Sequence, residues 1–157
     1  DTDTIIKAMR ENFNEKTASL TSKISTSGHS LAEIVTMASL IEKEARTSSV
    51  RRLVSGILWN RIKLGMPLQV DAVFGYINRR DTYSPTFDDL KIDSPYNTYL
   101  YKGLPPGPIA NPGLDSLDAA LHPTKTDYLY YLTGTDGQMH YATTYAGHQA
   151  NQRKYLR

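Results

Sequence analysis

Cysteine is absent from the 157 residues, which excludes disulfides and thiolate metal sites and leaves the redox compartment undetermined. No apolar run approaches the roughly 18 residues of a membrane-spanning helix. A formal net charge of +2, with Lys and Arg scattered, excludes the basic footprint of a nucleic-acid binder. Tryptophan occurs once and phenylalanine three times, against eleven tyrosines. Tyrosine joins a flat apolar face to a hydroxyl, which suits a sugar or peptide surface and equally suits plain β-sheet. Hydrophobic content of 39% and charged content of 22% are ordinary for one globular domain.

Regular structure is scarce in the middle third. Prolines at 85, 95, 105, 106, 108 and 112 forbid long helices and central strands there, and a loop region of this length tends to be functional. Short helices are expected over 72–77, capped by Asp71, and over 86–90. Before this region the spacing predicts helices near 3–15, from Ser30, and from Ser48 to Leu64, with Gly65 and Pro67 ending the last. Residues 17–30, rich in Ser and Thr, read as a loop or ragged helix. After it come a short helix in "GLDSLDAALHP", a hairpin of "YLYYLT" and "QMHYATT" across "GTDG", and a polar C-terminal helix. The fold class is α+β, mostly helical, with one small hairpin.

The helix opening "SLAEIVTMASLIEKEA", residues 30–45, carries three glutamates. Ser30 and Glu33 form a capping box, in which each side chain satisfies the other residue's amide. On a wheel at about 100° per residue, Ile34, Val35, Met37, Ala38, Ile41 and Ala45 share a stripe with Leu31. Glu44 falls at the edge of the stripe, where a surface carboxylate is expected. Glu42 falls inside it, between Leu31 and Val35. Two readings of Glu42 stay open: a structural acid bonded to a loop amide or an arginine, and an acid kept neutral for proton donation.

The strings "ASLIEKEA" at 38–45, "GILWNRIKLGMPLQVDAV" at 56–73, "SPYNTYLYKGLPPGPIANPGLDSLDAALHP" at 94–123 and "YLYYLTGTDGQMHYATTYAGH" at 128–148 resemble the catalytic domain of the YceG-like endolytic murein transglycosylases. The resemblance covers nearly everything from residue 30 onward. It implies a lysozyme-like α+β domain, with residues 1–29 as N-terminal helix and linker and 30–157 as catalytic core. It also implies a longer protein, of which this chain is an excised piece, with an N-terminal transmembrane anchor and a LysM-like module. The implied substrate is peptidoglycan outside the cytoplasmic membrane, cut between N-acetylmuramic acid and N-acetylglucosamine to leave a 1,6-anhydro end. The family pattern is read as placing the catalytic acid on the first glutamate of "EKE", Glu42. Peptidoglycan synthases and division or elongation proteins are the implied partners.

Other candidates follow from residue type. Gln69 and Asp71 suit sugar hydroxyls and amides, although Asp71 equally suits an N-cap. Tyr96, Asn97 and Tyr99 offer stacking faces and an amide for N-acetyl sugars. Asn111 and His148 are weaker cleft candidates. His140 and His148 lack metal-ligand spacing with an acidic partner, so neither metal nor cofactor is expected. Two rival functions remain: a hydrolytic muramidase on the same scaffold, and a non-catalytic glycan-binding or scaffolding module.

Overall fold

The computed structural model describes residues 1–80 and 84–157. Helix α1, Thr2–Thr17, runs on through a 3-10 turn into α2, Thr21–Thr26, so most of the Ser/Thr-rich stretch expected as a loop or ragged helix is helical. Ser and Thr hydroxyls in this stretch bond carbonyls three or four residues back, as Thr17 does to Phe13 at 2.7 Å, and so stay within the helix. Leu20 is buried, and Phe13 and Ile24 pack on the core.

The centre of the domain is α3, Leu31–Glu44, which starts at the Ser30–Glu33 capping box. It packs against α4, Ser48–Lys63, and α6, Leu114–Leu121, and these two also pack on each other. Gly65 follows α4 at φ 65, the left-handed terminator expected there. Within α4, an added Cβ at Gly56 would stand 2.1 Å from the Thr124 carbonyl oxygen, so only glycine lets the chain after α6 cross there.

The expected one-sided stripe on α3 is corrected. Thr36, Met37, Ala38, Ser39, Leu40 and Ile41 are all buried, whereas Leu31 is 45% exposed. Six consecutive buried residues span every direction around a helix, so α3 is a central helix wrapped on all sides. Ser39 Oγ meets the burial by donating to the Thr36 carbonyl at 2.7 Å and accepting the Ile109 amide at 3.0 Å. That bond pins the proline-rich loop to the core.

Helix α5, Val73–Asn78, is the short helix expected over 72–77. Its N-cap is Ala72, with no side-chain cap bond, so Asp71 is not the cap. The expected helix over 86–90 is a 3-10 turn, Asp89–Lys91, reached through reciprocal Thr86–Asp89 bonds. Near the C-terminus, β1, Tyr130–Thr133, pairs antiparallel with β2, Met139–Ala142, in the register Tyr131 opposite Tyr141. Helix α7, Tyr145–Tyr155, packs on both strands. No helix among the described residues is long and apolar enough to cross a membrane.

Candidate active site

The last turn of α3 carries two carboxylates with opposite surroundings. Glu42 is clamped. Its Oε2 accepts the Ser116 hydroxyl at 2.6 Å and the Gly113 amide at 3.0 Å, and its Oε1 lies 3.3 Å from the Arg51 guanidinium. Arg51 also bonds Asp115 at 2.6 Å, so one ionic cluster joins α3, α4 and the start of α6. Partial burial raises the Glu42 pKa, but the two hydrogen bonds and the Arg51 charge outweigh it and hold the carboxyl below its ordinary value. The expectation of a neutral Glu42 on an apolar stripe is therefore corrected. Of its two open readings, the acid bonded to a loop amide and an arginine describes its surroundings.

Glu44, expected on the surface, is half-buried. Burial of its carboxyl, reinforced by the nearby Asp71 charge, pushes its pKa up to about 7. The Tyr131 hydroxyl donates to Glu44 Oε2 at 2.8 Å, and this bond with that of the Ala72 amide only partly offsets the burial. A carboxyl poised near neutrality can both give and take a proton at physiological pH.

Glu44 opens on a cleft of about 720 Å³. Gln69, Asp71, Tyr99 and His148, four of the residues expected in the site, line this cleft with it. Gln69 holds a left-handed backbone, φ 54, uncommon for a non-glycine residue. Its amide bonds the Thr98 carbonyl at 3.0 Å, and its Oε1 accepts from Arg61 at 3.2 Å. With Oε1 engaged, the Gln69 NH₂ is the group left to meet a ligand. Asp71 accepts from the Tyr99 hydroxyl. Its pKa is nevertheless raised, because burial outweighs that bond. His148 stacks on Tyr130 with ring centroids 5.3 Å apart, and burial followed by the Arg61 charge lowers its pKa.

The remaining expected residues stand elsewhere. Asn97 is fully buried: its NH₂ bonds the Leu90 and Ile92 carbonyls at 3.1 and 2.9 Å, and its Oδ1 accepts the Tyr99 amide. It shapes the loop that carries Tyr99 and has no amide group left for a sugar. Tyr96 pairs with Tyr76, centroids 4.7 Å apart, and lines a neighbouring cavity. Asn111 is exposed and lines neither cavity.

Arg61 and the hairpin tyrosines were not expected in the site. Arg61, 6% exposed, donates to the carbonyls of Leu129, Pro67 and Leu68 at 2.8, 3.0 and 2.6 Å, besides Gln69, and its guanidinium lies 5.0 Å from the Tyr130 ring centre. It ties the hairpin to the strand-like segment bearing Gln69 and Asp71. Its place in the amphipathic α4 signals only a surface base. The hint for Glu44 was its position seven residues after Met37, on the same helix direction.

The fold is a mostly helical α+β domain with one small hairpin, and its cleft holds a carboxyl, Glu44, whose pKa burial raises to about 7. The sequence model of the YceG-like family matches residues 1–154, and the chain belongs to this family. It is 42% identical over 152 residues to the endolytic murein transglycosylase of Bacillus subtilis (strain 168), covering 97% of this chain and 42% of that protein. It is 34% identical over 160 residues to the endolytic murein transglycosylase of Streptococcus pneumoniae (strain D39), covering 98% of this chain and 28% of that protein. The chain thus spans less than half the length of these relatives. A crystal structure of a yceG-like protein of Listeria monocytogenes superposes with a TM-score of 0.90 at 36% identity, over 96% of this chain and 49% of that one.

Proposed function

We propose that this domain is the catalytic part of a lytic transglycosylase that cleaves the β-1,4 bond between N-acetylmuramic acid and N-acetylglucosamine in peptidoglycan, with Glu44 as general acid and then base. The observation that carries this reading is the Glu44 carboxyl, pushed up to about 7 at the wall of an open cleft. The naming of relatives at 42% and 34% identity as endolytic murein transglycosylases supports the substrate class.

The chemistry balances with one carboxyl. Neutral Glu44 gives its proton to the glycosidic oxygen as the muramyl C1–O bond breaks, and the released sugar leaves as an alcohol. The Tyr131 hydroxyl steadies the carboxylate that forms. Glu44 then takes the proton of the muramyl C6 hydroxyl as O6 bonds to C1. The product is a 1,6-anhydro end, no water is consumed, and Glu44 is protonated again. The Gln69 NH₂ and the tyrosine faces of the cleft suit the hydroxyls and N-acetyl groups of the sugars.

A hydrolytic muramidase is the second reading, because Asp71 supplies another carboxyl to the same cleft. Burial raises the Asp71 pKa, against the bond from Tyr99 that lowers it, and so disfavours the anion that a nucleophile or a water-activating base requires. Kinship to lysozyme-like folds belongs to the same proposal, as does the division of the chain into a linker over 1–29 and a core over 30–157. So do action outside the cytoplasmic membrane, anchoring through a preceding segment of a longer protein, and partnership with peptidoglycan synthases and division or elongation proteins.

The test is end-group analysis of purified peptidoglycan digested by the wild type and by Glu44→Gln. The expected result is 1,6-anhydromuramyl ends from the wild type and essentially none from the variant. Reducing muramyl ends would replace the lyase with the hydrolase. Binding without cleavage by the wild type would leave a glycan-binding module.

A further inference from the structure

Beside the Glu44 cleft lies a second cavity of about 640 Å³, which shares Lys43 and Ala72 with it. The two differ in charge. Among the described residues, Glu44 and Asp71 line the Glu44 cleft against Lys43 and Arg61. The described lining of the second cavity holds Lys43, Arg79 and Arg80 and no acid. On a chain whose net charge is only +2, three cations on one concavity are a local excess. None of the three forms an ion pair among the described residues. The Arg80 charge helps hold Asp89 ionised, but the Asp89 carboxylate is itself bonded by Thr86 and Asn78.

The backbone brings the two arginines together. Helix α5 ends at Arg79 in a left-handed conformation, φ 53 and ψ 41, and both the Arg79 and Arg80 amides bond the Gly75 carbonyl. This tight turn keeps both residues at the cavity that α5 walls. The Tyr76–Tyr96 pair lines the same cavity and presents an aromatic surface, with Tyr76 46% exposed. Planar guanidinium groups bind carboxylates through two parallel hydrogen bonds, and a tyrosine face covers short aliphatic side chains.

From these features we infer that the second cavity binds the free carboxylates of the peptide stem on the glycan strand held in the Glu44 cleft. This rests on the proposed glycan substrate: the stem branches from the muramic acid, and the two cavities meet at Lys43 and Ala72. The site is a specificity element for peptide-bearing strands, separate from the groups that move protons.

The experiment measures binding of two soluble probes to the protein by calorimetry at low salt: a GlcNAc–MurNAc-tetrapeptide with free carboxylates, and the same molecule with its carboxylates amidated. Both present identical sugars, so the ratio of affinities reads the stem carboxylates alone, whichever ends the enzyme leaves on the glycan. The acidic probe is expected to bind about ten-fold tighter, and Arg79→Gln/Arg80→Gln brings the ratio close to one. Arg80→Gln alone, which leaves the left-handed turn untouched, lowers the ratio part of the way and serves if the double variant fails to fold. Equal affinities in the wild type, no binding of either probe, or an unchanged ratio in the variants overturns the inference.

Discussion

The Tyr131 hydroxyl donates a 2.8 Å hydrogen bond to Glu44 across 87 residues of chain. It joins the hairpin to the last turn of the central helix and roofs the carboxyl whose proton the proposed reaction moves. Desolvation and this bond act on Glu44 in opposite directions, and desolvation wins.

Glu44→Gln keeps the shape of the side chain and removes its proton. Cleavage of peptidoglycan, followed as anhydromuramyl ends, is expected to fall by about 10²–10⁴-fold, the range of a lost general acid. Glu42→Gln is expected to retain most turnover at temperatures where it is folded. The reverse pattern would return the catalytic role to Glu42.

The pH profile follows from the same carboxyl. Bond breaking needs Glu44 protonated, so activity is expected to decline as pH rises through about 7. The Tyr131 bond lowers the Glu44 pKa, so Tyr131→Phe moves this alkaline limb to higher pH. A limb that stays in place or moves toward acid would dissociate Tyr131 from Glu44 titration.

Stability has a matching pH dependence. Folding raises the Glu44 pKa from 4.5 to about 7, so the folded chain holds this proton more tightly than the unfolded chain. The destabilisation from ionising Glu44 is absent below 4.5 and complete above about 7. Glu44→Gln removes it, and denaturant titrations are expected to find the variant gaining up to about 3 kcal/mol on the wild type between pH 4.5 and pH 8. A constant difference across that window would contradict the raised pKa.

Glu42 is a structural acid by its contacts. Replacing it with Ala strips partners from Ser116, the Gly113 amide and Arg51 at once, and urea titration should show a loss of about 2–3 kcal/mol. Because its folded pKa is depressed, the Glu42 contribution is present above the ordinary carboxylate range and fades as pH falls through its lowered value.

Gly56→Ala sets a methyl 2.1 Å from a backbone oxygen. Helix propensity favours alanine by about 1 kcal/mol, yet overpacking against backbone costs about 1–3 kcal/mol or more. Thermal melts are expected to show net destabilisation; a stabilised variant would mean the Thr124 segment moves away freely.

The elements themselves were legible in the residues. Capping at Ser30 and Glu33, termination at Gly65, the hairpin and the last helix all depend on spacing and local turn chemistry, and each stands near its expected place. Asp71 as a cap failed because its carboxyl found a long-range partner, Tyr99, 28 residues away. The same applies to Asn97, whose amide serves its own loop.

What only tertiary structure decided was which glutamate is desolvated. A helical wheel assigns burial from the helix's own residues, and it presumes one buried face. Around α3 there is no such face, because α4, α6, the proline-rich loop and the hairpin cover it from different sides. Local sequence placed two acids two residues apart at the end of this helix. Hydrogen bonds from 71 and 74 residues away then helped hold Glu42 as an anion, while burial by the folded chain lifted Glu44 toward neutrality against its Tyr131 bond, since a carboxyl's charge state depends on surroundings that the chain assembles only by folding.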